Sequence, residues 1–220
     1  VSPRVFLGAV LLPAAACASA GGVATGSAPT AEFPGSEALP SDTLPSGFGS
    51  LRQEAVSVDL VSGDVRIRIT PLDPAVVRLT APDTESRLAA TLERAGGVQP
   101  RTTSILVTAY TEAPAASFEP RDVRLELRGR RLPIRDVRPI SPEWGTGQLR
   151  QRSQVSAVYR FDGEVRWLEE GPRFEYLNSS NDGWRGILPT LDVERARVRA
   201  RARGEVEDPR LPRFTTESTD

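Results

Sequence analysis

The sequence has no lysine, no histidine and no methionine, and its one cysteine is Cys17. All 28 basic residues are therefore arginine. Each absence removes a branch of chemistry. Without lysine there is no Schiff base and no phosphate-loop amine, which excludes pyridoxal enzymes and Walker-type nucleotide binding. Without histidine there is no Ser-His-Asp triad, no imidazole-paired thiol, and no imidazole ligand for zinc or haem. A single cysteine makes neither an internal disulfide nor a thiolate metal cage. No apolar run approaches the ~20 residues that a helix needs to cross a bilayer. The chemistry that survives belongs to carboxylates, either a pair of Asp/Glu side chains or an oxygen-ligand metal site. The formal net charge is -1, with acids and arginines interleaved. That balance leaves no basic stripe, so no nucleic-acid partner is expected.

What is present begins with the leader. Arg4 is followed by the apolar run Val5 to Leu12, then by Ala14-Ala15-Ala16 and Cys17. This order is that of the basic, apolar and small-residue regions of a secretory signal. Ala14-Ala15-Ala16-Cys17 resembles a bacterial lipobox, with Ala14 where the pattern usually has Leu. The resemblance implies a signal peptide over residues 1–16 and a lipid-modified Cys17 as the mature N-terminus. Acyl chains contribute ~0.8 kcal/mol per buried methylene, so a multiply acylated cysteine holds a domain at a membrane without a protein span. Ala18 after the cysteine, in place of Asp, resembles the outer-membrane sorting pattern. The competing reading is an ordinary cleavage site at Ala18-Ser19-Ala20, which would discard Cys17 with the leader. Under either reading the folded part is expected outside the cytoplasm. The lipidated form would sit on the outer or plasma membrane, facing the periplasm or exterior.

Residues 17–53 are rich in Gly, Ala, Ser, Thr and Pro, with Pro29, Pro34, Pro40 and Pro45 as punctuation and Phe33 and Phe48 as isolated aromatics. Such a stretch cannot bury enough surface to offset its ordering entropy, and a disordered tether is expected. The folded domain is expected over residues 54–204. A polar tail, 205–220, with Pro209 and Pro212, should fray.

Within the domain the pattern is mainly β. Val56, Val58 and Leu60 alternate with polar residues, as do Val65, Ile67 and Ile69, and Ser62-Gly63-Asp64 between them predicts a hairpin turn. Val77 and Leu79 predict a third strand. Ser104 to Thr111 is apolar on both sides, which predicts a central strand. Arg121 to Arg128 alternates cleanly, and Gly129 turns it toward Leu132 and Ile134. A long loop is expected over Arg138 to Gln151. Val155, Ala157, Tyr159 and Phe161 form the inward face of another strand, with shorter ones at Val165–Trp167 and Phe174–Tyr176. Two helices are predicted. The first spans Thr84 to Ala95, with Asp83 as N-cap and Gly96-Gly97 as stop. The second follows Asn181-Asp182, starts or kinks at Pro189, and ends at Gly204.

The stretch Phe118-Glu119-Pro120-Arg121-Asp122-Val123, read together with Val155 to Phe161 and Asp162, resembles the immunoglobulin-like β-sandwich domains of bacterial lipoproteins of unassigned role. The resemblance covers about a third of the chain and carries over no functional residue. It implies an immunoglobulin-like antiparallel β-sandwich with one or two accessory helices.

Candidate sites are few. Asn178 to Gly183 has the composition of a calcium loop, but the twelfth position falls on Pro189, where a bidentate acid is required. A turn that caps the next helix is the expectation. Five arginines at alternate positions, Arg195 to Arg203, would spread around a helix, and acids nearly balance them, so an ion-paired solvated face is expected. Trp144 is read as buried trim on the sandwich end, with an exposed platform for a sugar ring as the alternative. Glu143, Glu169, Glu170 and Asp182 lie near predicted loops without the spacing of a catalytic pair. No cofactor is implied. The expected role is a non-enzymatic binding or scaffold module of the cell envelope, with an envelope protein as partner. The alternative is a carboxylate-dependent hydrolase acting on extracytoplasmic glycans.

Overall fold

The computed structural model describes residues 43–204. The leader, Cys17, the tether up to residue 42 and the tail from 205 lie outside the described residues. The body is a mainly β, antiparallel sandwich with accessory helices. In chain order its strands are β1 (Val58–Ser62), β2 (Val65–Pro71), β3 (Thr102–Thr111), β4 (Ala115–Ser117), β5 (Val123–Leu127), β6 (Arg130–Leu132), β7 (Ile134–Pro139), β8 (Gln148–Arg150), β9 (Gln154–Asp162), β10 (Arg173–Tyr176) and β11 (Ser179–Asn181). The helices are α1 (Pro74–Val77), α2 (Pro82–Arg94) and α3 (Trp184–Ala202).

The main sheet has five strands in the order β1-β2-β3-β9-β7, and a second has four in the order β11-β10-β5-β6. A two-stranded ribbon, β4-β8, stands beside them. The hairpin β1–β2 closes at Ser62↔Val65 over Gly63-Asp64, with Gly63 at φ 56°, a conformation that glycine adopts at no steric cost. The doubly apolar segment is β3, and it is the middle strand of the main sheet. Strands buried on both faces need apolar residues on both.

One face of the main sheet looks into the sandwich. There Ile67, Ile69, Ile105, Val107, Ala157, Tyr159 and Phe161 meet Val123, Leu125, Phe174 and Tyr176 of the second sheet in a single core. Aromatic rings fill it: Trp167 lies T-shaped to Trp184 at 5.1 Å and parallel to Phe174 at 6.2 Å. α3 closes the same core through Trp184, Leu191 and Val198, and the Trp184 indole donates to Trp167 O at 2.9 Å. The opposite face carries α1 and α2, where Leu88, Leu92 and Ala95 pack on Leu106 and Val158.

Several sequence expectations are corrected. Val77 and Leu79 do not form a strand. Asp73 accepts the Ala75 N–H at 2.8 Å and Pro74 occupies N1, the start signals of a helix, so one turn of helix forms instead. α2 begins at Pro82, with Asp83 inside its first turn instead of at the cap, because a proline at N1 supplies the preset φ. Its end is the expected one, with Gly97 N bonded to Leu92 O at 2.9 Å and Gly96 at φ 100°, a Schellman stop. Val165 and Trp167 are buried but belong to a loop. The expected loop 138–151 contains the end of β7, a 3-10 turn over Pro142–Thr146 and β8. α3 starts at Trp184 and runs through Pro189, held by Trp184 before the proline and by Leu191 and Val198 after it, all buried.

Packing also begins earlier than Glu54. Leu44 is 3 % exposed within the main core. Leu51 N donates to Leu79 O at 3.1 Å, and Ala81 N donates to Leu51 O at 2.8 Å. Two buried carboxylates fasten this strap. Glu85 of α2 accepts from the Ser46 hydroxyl and from Gly47 N at 2.9 Å. Glu194 of α3, 1 % exposed, accepts from Ser50 N at 2.8 Å and Ser50 Oγ at 2.7 Å. Gly49 lies against the backbone of residues 78–80, where a Cβ would collide with Thr80 O. Composition hid the strap because its contacts are backbone and small polar groups, which carry no periodicity.

Candidate functional site

The outer face of the main sheet is only partly covered. Beyond α2 the register sets Arg66, Tyr110 and Gln154 side by side across β2, β3 and β9, and Arg68, Thr108 and Ser156 in the next outward-facing row. This floor opens into a groove of about 560 Å³. Arg87 of α2 and Arg152 in the β8–β9 turn also line it. Arg152 is held at φ 58° by its own N–H to Thr111 O, 3.1 Å. Ser153 Oγ braces that turn by accepting from Arg150 N at 2.9 Å.

Charge in the groove is unevenly satisfied. Arg68 meets both carboxylate oxygens of Asp59, at 2.9 and 3.0 Å, and Glu54 at 3.1 Å. The Asp59 bond holds its guanidinium above the ordinary arginine value, against a smaller opposing effect of burial. Glu112 stands 3.9 Å from Arg66. Arg87 and Arg152, both exposed, have no carboxylate of the described residues within ion-pair distance. Among the described residues the groove therefore offers two unpaired guanidiniums and a half-buried phenol ring.

A second cleft, of about 320 Å³, lies at the end of β3. Asp73, Glu164, Arg101, Gln99 and Thr103 contribute its polar groups, with Leu72, Leu92 and Trp167 behind them. Burial pushes the Asp73 carboxyl up, and the charge of Glu164 adds to that, against the backbone N–H groups of Ala75 and Val76 that favour the anion. A carboxyl whose proton affinity is raised, beside a second exposed acid, is the raw material of general acid–base chemistry. The same Asp73 is also the cap of α1, a structural duty that accounts for its position without any reaction.

The residues singled out from sequence do not meet at either place. Trp144 is 2 % exposed, edge-on to Phe118 at 4.7 Å and to Tyr159 at 5.9 Å, so it is core and not a platform. Tyr159 in that cluster donates to Pro120 O at 2.5 Å, and burial pushes its phenol up. Glu143 and Asp182 are exposed and apart from both clefts. Glu169 pairs with Arg166 at 2.7 Å. Glu170 accepts Arg166 N at 3.1 Å and the Arg128 guanidinium. Burial opposes the Glu170 charge, but the Arg166 N–H and the two arginines outweigh it and hold the carboxyl below the usual range. Asn178 to Gly183 contains the whole of β11 and ends at Gly183, the N-cap of α3. Asn181 Oδ1 accepts Gly183 N at 2.6 Å, but α3 has no side-chain cap bond, so most of the expected capping turn is strand instead. Among the described residues no cluster of three or more Cys, Asp or Glu side chains is placed to hold a metal ion.

The arginine run of α3 is indeed spread around a helix. Arg201 reaches Glu194 at 2.9 Å and Phe48 O at 2.7 Å, and Arg197 approaches Glu194 at 3.8 Å. Arg195, Arg199 and Arg203 also have partners. Sequence reading missed Arg87, Tyr110 and Arg152, and also Asp73 and Glu164. Only the Asp73-Pro74 pair carried a local signal, that of a helix start. The others come together through strand register and helix placement, which no local pattern encodes.

No protein-family model and no curated protein matches the chain. Among solved structures, it is similar to a DUF4426 family protein from Pseudomonas aeruginosa PAO1, with 14% identity over 54% of this chain and 78% of that one. The TM-score is 0.29, too low to carry an argument about either fold or function.

Proposed function

We propose that this protein is a non-enzymatic lipoprotein of the cell envelope, anchored through Cys17 to the outer or plasma membrane and acting outside the cytoplasm as a binding or scaffold module. Anchoring rests on the leader, where Ala14-Ala15-Ala16-Cys17 follows a short apolar run. Binding rests on one structural observation, the open groove that Arg87, Arg152 and Tyr110 line, the two arginines having no carboxylate partner among the described residues. No described helix is long and apolar enough to cross a membrane. The anchor is tested by expressing Cys17→Ser. Loss of the protein from the membrane fraction, together with loss of incorporated labelled fatty acid, is expected. Equal retention of variant and parent would remove the lipid from the account.

The alternative reading, a carboxylate-dependent hydrolase of extracytoplasmic glycans, has its own observation: Asp73 and Glu164 line one cleft. Turnover of a wall-glycan substrate abolished by Glu164→Gln would favour it over the binding module.

A further inference from the structure

We propose that the groove on the outer face of the main sheet binds a carboxylated saccharide, a uronic-acid-type glycan, with Tyr110 as the ring platform and Arg87 and Arg152 as the carboxylate contacts. The proposal rests on the binding-module reading above and names its ligand class.

Three features of the groove select that chemistry. Its floor carries a single aromatic ring, flanked in register by Arg66 on one side and Gln154 on the other. One ring set in a polar floor matches a sugar, whose apolar ring face stacks while its hydroxyls seek hydrogen bonds. The remaining lining is hydroxyl and amide, from Thr108, Thr111, Ser153 and Gln53, together with the charged Glu54, Arg68 and Glu112. Clustered arginines also read acidic peptides, so it is the lone ring in a floor of hydroxyl and amide groups that favours a sugar over a peptide here. Third, two guanidiniums without a carboxylate partner among the described residues line the groove from different elements, one on α2 and one on the β8–β9 turn. Arginine matches carboxylate geometry bidentately.

The acids that face the groove do not cancel this arrangement. Glu54 is engaged by Arg68, and Glu112 lies beside Arg66. Exposed ion pairs each contribute little on their own. A single sugar acid should therefore bind weakly, and affinity should grow with a chain that engages both arginines at once. At about 560 Å³ the groove falls within the usual size of ligand sites.

The test uses the full chain with Cys17→Ser, titrated calorimetrically with an oligogalacturonate, with the same oligosaccharide after its carboxyls are reduced to alcohols, and with oligoglutamate. The oligogalacturonate is expected to bind at least tenfold more tightly than either of the others, and more weakly as salt rises. Arg87→Gln and Arg152→Gln should each weaken it by about tenfold or more. Tyr110→Phe should retain binding and Tyr110→Ala should lose it. Arg130→Gln, on β6 outside the groove, should change nothing. Undetectable uronate binding overturns the proposal, as does binding that is equal in both arginine variants and the parent. Tighter binding of oligoglutamate overturns it in favour of a peptide ligand. Localisation is read separately from membrane fractions, so a failure of the ligand class leaves the anchor standing, and the reverse.

Discussion

On its inner face the main sheet presents Ile67, Ile69, Val107, Ala157, Tyr159 and Phe161, all fully buried. On its outer face the same strands present Arg66, Arg68, Ser104, Thr108, Gln154 and Arg160. The inner side is dry and aromatic, and its order comes from area removed from water. The outer side is a patchwork. Leu106 and Val158 lie under α2, Tyr110 and Thr108 line a groove, and Arg160 is 1 % exposed although it occupies what alternation marks as a polar position. Its guanidinium donates to Ala95 O at 2.8 Å, to Gly97 O at 3.4 Å and to Asp136 at 3.2 Å. A cation at the end of α2 both satisfies its last carbonyls and complements its dipole. An outer face need not be a solvent face. One half of it seats helices, and the half left open holds ion-paired Arg66 and Arg68 beside Arg87 and Arg152, which have no carboxylate partner among the described residues.

The difference can be broken from either side. The largest effect is expected inside, where Phe161→Ala removes a ring from the closed core and should lower unfolding stability by about 3–5 kcal/mol in denaturant titrations. A loss under about 1 kcal/mol would mean that the inner face is not the one holding the sheets together. Next comes the buried cation. Arg160→Met should cost about 3 kcal/mol, because it leaves the carbonyls at the α2 terminus without their donor and leaves Asp136 only the more distant Arg138, at 3.8 Å. Hydrogen exchange should localise that loosening to residues 88–97. Uniform loosening of both faces would show that Arg160 supports the sheet instead of the helix.

The smallest effect concerns Asp73, at the edge of the outer face. Burial raises its folded-state pKa above the ordinary value of 3.8. The native protein therefore keeps this proton after the unfolded chain has released it, and the group lowers stability as pH rises through the window that begins near 3.8. Asn retains the cap acceptor and cannot ionise, and as a cap it ranks with Asp. Asp73→Asn should be at least as stable as the parent at pH 7, with the difference vanishing below pH 3.8. Denaturant midpoints at pH 3 and pH 7 check this. A variant that is clearly less stable at pH 7 would mean that the ionised carboxylate is needed where it stands.

How far the fold was legible follows from the same two faces. Strand alternation identified the inner face residue by residue, and the double apolarity of β3 marked it as central, because side chains alternate strictly along a strand. The 3-10 turn at Trp144 and the helical turn at Asp73-Pro74 were harder, since short elements are decided by one or two bonds. The strap over residues 43–53 read as linker for want of large side chains, although Leu44, Ser46 and Ser50 are tied into the body. The groove was invisible. Arg87, Tyr110 and Arg152 lie far apart in sequence, and each alone reads as an ordinary surface residue.

By itself, then, the sequence determined the absence of lysine, histidine and thiol-pair chemistry, the antiparallel β character, the paired hairpin β1–β2 and the position of both long helices. Those properties depend on residue type and on near-neighbour periodicity, which a linear chain states directly. Strand order, the burial of Arg160 and the gathering of Arg87, Tyr110 and Arg152 in one groove were decided only in the folded molecule. They depend on which segments are brought side by side, and that is set by the sum of many weak contacts distributed over the whole body.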